Sequence, residues 1–129
     1  MRTARSFLFI TLGMLLYTSN VASAEEVDAG RGTLPLVVPA GYDEAKPAPL
    51  VVLLHGYTSS GSGQEAYMKF SKLADSYGFL FVAPDGTKED SERGSRFWNA
   101  TAACCDLYGS GVDDSTYLMN LITTVKKNY

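Results

Sequence analysis

The stretch that decides the fold runs from Pro49 to Gly63 and reads PLVVLLHGYTSSGSG. Within it, Leu50 to Leu54 form an uninterrupted apolar run with the length and β-branched content of a strand buried on both faces. The run stops at His55-Gly56, and a loop of small residues leads towards a helix. A strand followed by a loop and a helix is the first part of a βαβ unit, so the stretch predicts an α/β fold.

The next residues complete this unit. The spacing of apolar residues predicts a helix over 64–77 with Gly78 at its C-terminal cap. Phe79 to Ala83 then predicts a second buried strand, parallel to the first and ended by the turn sequence Pro84-Asp85-Gly86. The apolar face of the helix is predicted to comprise Tyr67, Phe70, Leu73, Ala74 and Tyr77.

Two further elements flank the unit. Thr33 to Val38 predicts a strand at the edge of the sheet, because Pro35 has no N–H to donate to a neighbouring strand. A helix is predicted from Asp113 onward, with Asp113 or Asp114 as its N-terminal cap. The apolar face of this helix is predicted to comprise Tyr117, Leu118, Leu121, Ile122 and Val125.

The N-terminus has the organisation of a signal peptide. Arg2 and Arg5 precede an apolar run of about 11 residues, and Ala22 to Ala24 form a small-residue cleavage site. A helix that spans a bilayer needs roughly 20 apolar residues, so we expect cleavage after Ala24 rather than a membrane anchor. The sequence thus predicts a signal peptide over 1–24 and one exported domain over 25–129, secreted or periplasmic, whose first residues to Gly32 are frayed.

The charge of the mature chain excludes two classes of partner. Removal of Arg2 and Arg5 leaves 9 of the 11 basic residues against 14 acidic ones, a net charge of −5. Nucleic acids and anionic membranes both require a basic face, so we expect neither as a partner. The loop Ser59 to Gly63 has neither a Gly-Lys-Ser/Thr nor a Gly-x-Gly-x-x-Gly sequence, and we expect no nucleotide and no cofactor.

The long segment from Thr87 to Val112 contains the adjacent pair Cys104 and Cys105. Three interpretations are open: a vicinal disulfide, pairing with cysteines outside this sequence, or a metal site. A single distant histidine gives poor zinc-ligand spacing, so we expect no metal and favour a crosslink that stabilises the segment.

Several residues near these loops have both a functional and a structural interpretation. Trp98 either lines a substrate pocket with Phe97 and Tyr108 or packs against the sheet. Asp85 lies at the strand edge where α/β proteins bind ligands, although turn formation also explains it. The Asp113-Asp114 pair is interpreted as caps rather than as paired catalytic carboxylates, and Asn99-Ala100-Thr101 matches a glycosylation acceptor.

The motifs taken in order resemble a known enzyme family. Residues 49–56 (PLVVLLHG) are followed by an amphipathic helix, by residues 81–86 (FVAPDG), by Phe97-Trp98-Asn99, by the cysteine pair and by residues 111–114 (GVDD). This order resembles the N-terminal part of secreted poly(3-hydroxybutyrate) depolymerase-like and feruloyl esterase-like enzymes of the α/β-hydrolase fold. The resemblance covers 31–129 and implies a three-layer fold with a mostly parallel sheet.

The resemblance also implies a site and a reaction. Such enzymes hydrolyse esters through a serine on a Gly-x-Ser-x-Gly elbow, activated by histidine, and they bind polyesters or feruloylated polysaccharides. It implies that the loop at Gly56 and Tyr57 supplies backbone N–H donors to the oxyanion, with Thr58 as an alternative donor and His55 near the pocket. The structural interpretation of His55-Gly56 is a tight turn at the end of a strand.

The nucleophile and the base are missing from this sequence. No Gly-x-Ser-x-Gly occurs, and the single histidine, His55, precedes every position where the elbow could lie. We therefore interpret the chain as a partial α/β-hydrolase domain, truncated before the nucleophile elbow and inactive alone. The alternative is a secreted binding or remnant domain without catalytic activity.

Overall fold

A four-stranded sheet organises the computed structural model, which describes residues 22–90 and 94–129. Its strands, in spatial order β1-β2-β4-β3, are β1 (Ser23–Asp28), β2 (Thr33–Val38), β3 (Leu50–Val52) and β4 (Leu80–Val82). β2 runs antiparallel to both β1 and β4, whereas β3 runs parallel to β4. The fold is α/β, with a mixed sheet. A two-stranded antiparallel ladder of β5 (Thr87–Lys88) and β6 (Arg96–Phe97) follows β4.

Helices cover both faces of the sheet. Successive residues of a strand point to opposite faces, and β4 follows this rule. Leu80 and Val82 pack with Leu121 of helix α3 (Asp114–Asn128), while Phe81 packs on the other face with Ala74 of helix α2 (Ala74–Tyr77). The described part of the chain therefore has three layers, as expected.

The expectation of a mostly parallel sheet is wrong for the described strands. Only the β3/β4 pair among them is parallel, because it alone is connected through helices. The expectation that Leu50 to Leu54 is buried on both faces is also wrong. β3 lies at the edge of the sheet, its residues are half-buried, and Leu54 beyond it is 43% exposed.

The helix predicted over 64–77 is divided into three pieces. Helix α1 (Gly61–Met68) ends at Lys69, which has a φ of 58°, and a 3₁₀ helix (Phe70–Leu73) leads into α2. The Glu65 carboxylate accepts hydrogen bonds from the backbone N–H groups of Phe70 and Ser71, so it caps the second piece. This break divides the predicted apolar face: Phe70 and Ala74 pack against Phe81 of the sheet, whereas Tyr67 (83%) and Tyr77 (73%) are exposed.

The N-terminal segment is more ordered than its composition predicts. Glu25 to Asp28 are not frayed, because they pair with Leu36 to Thr33 in the β1/β2 ladder. Ser23 and Ala24, which precede the predicted cleavage point, belong to the same strand. The rest of the predicted signal peptide, 1–21, lies outside the described residues. Across 22–90 and 94–129, no helix has the length and hydropathy needed to cross a bilayer.

The buried face of α3 provides a test of the core. Leu121 is fully buried against the sheet, whereas Met119 on the same helix is 60% exposed. We expect Leu121→Ala to lower the free energy of unfolding by about 3 kcal/mol, because it leaves a cavity at the centre of the core. Met119→Ala should change it by less than about 0.5 kcal/mol. Urea denaturation of both variants measures the difference, and equal losses would contradict this packing.

The cap of α3 makes stability depend on pH. The Asp113 carboxylate accepts hydrogen bonds from the hydroxyl (2.6 Å) and the backbone N–H (2.8 Å) of Thr116, and these bonds hold the pKa of Asp113 below its ordinary value of 3.8. The unfolded chain therefore binds this proton more readily than the folded chain does. The stabilisation is complete above the unfolded pKa and is lost as the pH falls through the folded pKa.

Replacement of Asp113 should reduce the loss of folding stability at low pH. Asn is also a good N-terminal cap but does not ionise. The melting temperature of Asp113→Asn should therefore fall less than that of the wild type between about pH 5 and pH 2. Glu44→Gln, at an exposed loop position, serves as the control and should follow the wild type. Thermal melts followed by circular dichroism across this range test it, and parallel curves for all three proteins would refute the proposed contribution of Asp113.

Candidate functional site

Two loops meet at the carboxyl ends of the parallel strands. Residues 53–60 follow β3 and lead into α1, while residues 83–86 follow β4. Because β3 and β4 are parallel, both loops leave the sheet at the same edge, where ligands bind in α/β proteins. The backbone N–H of Gly86 donates to Nε2 of His55 at 2.9 Å, which joins the two loops.

His55 is a structural residue in this arrangement. Its side chain is buried (3% exposed), and its Nδ1 lies 2.7 Å from the carbonyl oxygen of Gly56. A backbone N–H can only donate, so Nε2 must be the acceptor of the Gly86 bond and Nδ1 must bear the proton. Both ring nitrogens are thus engaged, and neither is available to act as a general base.

The loop beyond His55 exposes two backbone donors. Gly56 and Tyr57 are exposed, and in the part of the chain that the structure describes neither of their N–H groups has an acceptor. The N–H of Thr58 donates to the carbonyl oxygen of Arg96 at 2.9 Å, so Thr58 is excluded as the alternative donor. What the loop offers a ligand is therefore the pair of N–H groups at Gly56 and Tyr57.

The side chain of Tyr57 anchors this loop. Its hydroxyl donates to the Glu89 carboxylate at 2.8 Å, and this bond raises the pKa of the Tyr57 phenol above its ordinary value of 10.0. The side chain thus stays neutral in the physiological range. The contact ties the exposed loop to the segment that follows β5.

Trp98 packs beneath the same loop rather than lining an open pocket. Its indole N–H donates to the carbonyl oxygen of His55 at 3.1 Å, and its ring centroid lies 5.3 Å from that of His55 and 6.4 Å from that of Tyr117. The structural interpretation of Trp98 accounts for these contacts. Of its predicted pocket partners, Phe97 is buried in the core and Tyr108 is 73% exposed.

Asp85 organises the start of α1. One oxygen accepts the backbone N–H of Gly61 at 2.8 Å, and the other lies 3.1 Å from a guanidinium nitrogen of Arg96. Gly61 is required at this close approach, because a Cβ there would collide with the carbonyl oxygen of Ala83. Ser60 caps the helix through a bond from the N–H of Gly63 (3.0 Å), so its hydroxyl has a structural role.

The principal residue that sequence reasoning missed is Asp114. The interpretation of Asp114 as a cap is wrong, because Asp113 is the cap and Asp114 is buried (3% exposed). Its carboxylate binds Arg31 (2.6 Å), the hydroxyl of Thr87 (3.0 Å) and the backbone N–H of Asn99 (2.6 Å). It lies on the same helical stripe as Tyr117, Leu121 and Val125, and this spacing is the signal that it faces inward.

The long segment is closed by local bonds. Cys104 and Cys105 form a vicinal disulfide, and the backbone of Cys104 pairs with that of Thr101. The side-chain amide of Asn99, the predicted glycosylation acceptor, donates to the carbonyl oxygen of Val112 at 2.8 Å. Among residues 22–90 and 94–129, no cluster of three His, Cys, Asp or Glu side chains has the arrangement of a metal site.

Comparisons with known proteins add no further information on this site. A scan against protein-family models finds no match to the chain, and a search of the curated proteins finds none either.

The tautomer of His55 tests the geometry of the two loops directly. We expect a neutral imidazole protonated at Nδ1, because Nε2 accepts the bond from Gly86. Two-bond ¹H–¹⁵N correlation NMR at pH 8 distinguishes the two nitrogens by their chemical shifts. Since the chain has a single histidine, the assignment is unambiguous. An Nε2-protonated ring would be incompatible with the bond that joins the two loops.

Proposed function

We propose that this chain is the N-terminal part of a secreted carboxylic ester hydrolase of the α/β-hydrolase class, in which Gly56 and Tyr57 form the oxyanion loop. The observation that carries the proposal is the pair of exposed N–H groups without acceptors among the described residues, in the loop between the third strand and the first helix. In α/β-hydrolases, one oxyanion donor comes from the loop in this position.

The loop is suited to stabilise a developing negative charge. When a nucleophile attacks an ester carbonyl, the oxygen becomes an oxyanion, and fixed N–H donors at about 2.7–3.1 Å stabilise it. Backbone donors held by surrounding contacts need little reorganisation during the reaction. Three contacts hold this loop: His55 with Gly86, Thr58 with Arg96, and Tyr57 with Glu89.

The nucleophile and the base are proposed to come from sequence beyond the 129 residues. His55, the only histidine, is engaged at both nitrogens, and no serine stands on a Gly-x-Ser-x-Gly elbow. In the intact enzyme a serine would attack the acyl carbon while a histidine accepts its proton. Polyesters and feruloylated polysaccharides are both substrates of the kind proposed.

The engagement of both His55 nitrogens is equally compatible with a second candidate function. A secreted domain that binds a ligand but has no catalytic activity would retain the sheet and its loops without a free imidazole. The two candidates predict different nucleotide sequences beyond codon 129 of the gene. A strand with a Gly-x-Ser-x-Gly elbow, in frame or after one frameshift, supports the hydrolase, and unrelated sequence after a stop codon supports the binding domain.

A matched pair of variants tests the oxyanion role in the chain that is continued beyond residue 129 to include the proposed nucleophile and base. Tyr57→Pro removes the backbone N–H and should lower kcat for p-nitrophenyl butyrate about 100-fold, with little change in KM. Tyr57→Phe keeps the N–H, loses only the bond to Glu89, and should leave kcat nearly unchanged. Circular dichroism confirms that both variants fold, and equal kcat values in the two would contradict the proposal.

The 129-residue chain alone should show no saturable ester hydrolysis. Without a nucleophile and a base, only binding and an oxyanion donor remain, and these do not turn over an ester efficiently. Saturable turnover of p-nitrophenyl butyrate by the purified chain would show that the catalytic residues lie within it, contrary to the proposal.

A further inference from the structure

A cavity of about 870 Å³ lies between the sheet and α1, apart from the candidate oxyanion loop. Its floor includes Val37 of β2 and Phe81 of β4, which are direct partners in the ladder. Ala66 of α1 forms part of one wall. Cavities that bind small molecules have volumes of roughly 300–1,000 Å³, so this one is large enough for a ligand. Neither Gly56 nor Tyr57 contributes to its lining.

Three cations converge at one end of this cavity. Arg31 precedes β2 and Lys88 lies shortly after β4, and because these strands are antiparallel the start of one adjoins the end of the other. Arg96 is directly opposite Lys88 in the β5/β6 ladder. Both of these side chains belong to the lining of the cavity, as does that of Arg31.

The carboxylates nearby leave guanidinium donors unused. Arg31 binds Asp114 through one nitrogen (2.6 Å), and Arg96 binds Asp85 (3.1 Å) and the carbonyl oxygen of Gly86 (3.2 Å). A guanidinium has five N–H donors, so two arginines offer more donors than these contacts use. Of the two carboxylates in the lining, Asp85 and Glu65, the second accepts hydrogen bonds from the backbone N–H groups of Phe70 and Ser71.

We propose that this cavity binds an amphiphilic carboxylate, with its apolar body on the floor formed by Val37 and Phe81 and its carboxylate at the Arg31, Lys88 and Arg96 end. The apolar floor suits the apolar body of the ligand. The carboxylate of the ligand supplies acceptors for the remaining guanidinium donors of the two arginines. Neither Gly56 nor Tyr57 takes part in this binding site. It requires neither a nucleophile nor a base.

Titration with decanoate and with 1-decanol separates the contribution of the carboxylate from that of the apolar chain. Decanoate should bind saturably and at least about tenfold more tightly than 1-decanol, since only decanoate places a charge among the cations. Isothermal titration calorimetry measures both affinities. The fluorescence of Trp98, the only tryptophan, gives a second readout, because its ring lies 6.4 Å from that of Tyr117 in the cavity lining.

Three variants and one control locate the site. Lys88→Gln should weaken decanoate binding about tenfold and leave 1-decanol unaffected, whereas Lys88→Arg should retain the affinity. Lys72→Gln, which removes a lysine outside the lining, serves as the control and should bind as the wild type does. Ala66→Phe should weaken the binding of both ligands, because the larger side chain occupies part of the cavity.

Circular dichroism melts establish that each variant is folded before it is titrated. Equal affinities for decanoate and 1-decanol, or no saturable binding by the folded wild-type chain, would overturn the proposal. Undiminished binding by folded Ala66→Phe would overturn the location of the site.

Discussion

The hydrogen bond from the backbone N–H of Gly86 to Nε2 of His55 is the contact on which the functional end of this protein depends. It joins the loop after β3 to the loop after β4. Gly86 has no room for a side chain, because a Cβ there would collide with the carbonyl oxygen of Phe97. The same imidazole bonds the carbonyl oxygen of Gly56. The exposed donors of Gly56 and Tyr57 are thereby held in a loop whose base is buried and whose tip faces solvent.

A second buried group orders the rest of this end. The Asp114 carboxylate receives bonds from the β1–β2 turn, from β5 and from the long segment after β6, so a single side chain of α3 connects three separate parts of the chain. A buried carboxylate is costly unless it is paired and hydrogen-bonded, and here three donors satisfy it. Trp98 is next to Asn99 in the chain, and its indole N–H donates a hydrogen bond to the carbonyl oxygen of His55. Asp114 is thus connected to the candidate oxyanion loop through Asn99 and its neighbour Trp98.

The parts of the fold that could be predicted are those set by local patterns. Phe79 to Ala83 is a wholly apolar run and contains a fully buried strand, and Asp113 caps a helix whose apolar stripe includes Leu121 and Val125. The helix over 64–77 could not be predicted correctly, because capping by Glu65 interrupts it, and apolar periodicity does not detect such a bond. For the site, the sequence placed the loop at His55 to Thr58, but it could not decide which of these N–H groups is already bonded.

The sequence by itself determined the elements whose causes are local: the parallel β-α-β unit around His55, the cap at Asp113, and the lack of a serine elbow and of a second histidine in these 129 residues. Only the tertiary structure decided that β3 lies at the edge of the sheet, that Asp114 is buried while its neighbour is exposed, and that Arg31, Lys88 and Arg96 meet at one cavity. These features join residues far apart in the chain. They follow from the order and direction in which the strands pair, and that order is not encoded in any short stretch of sequence.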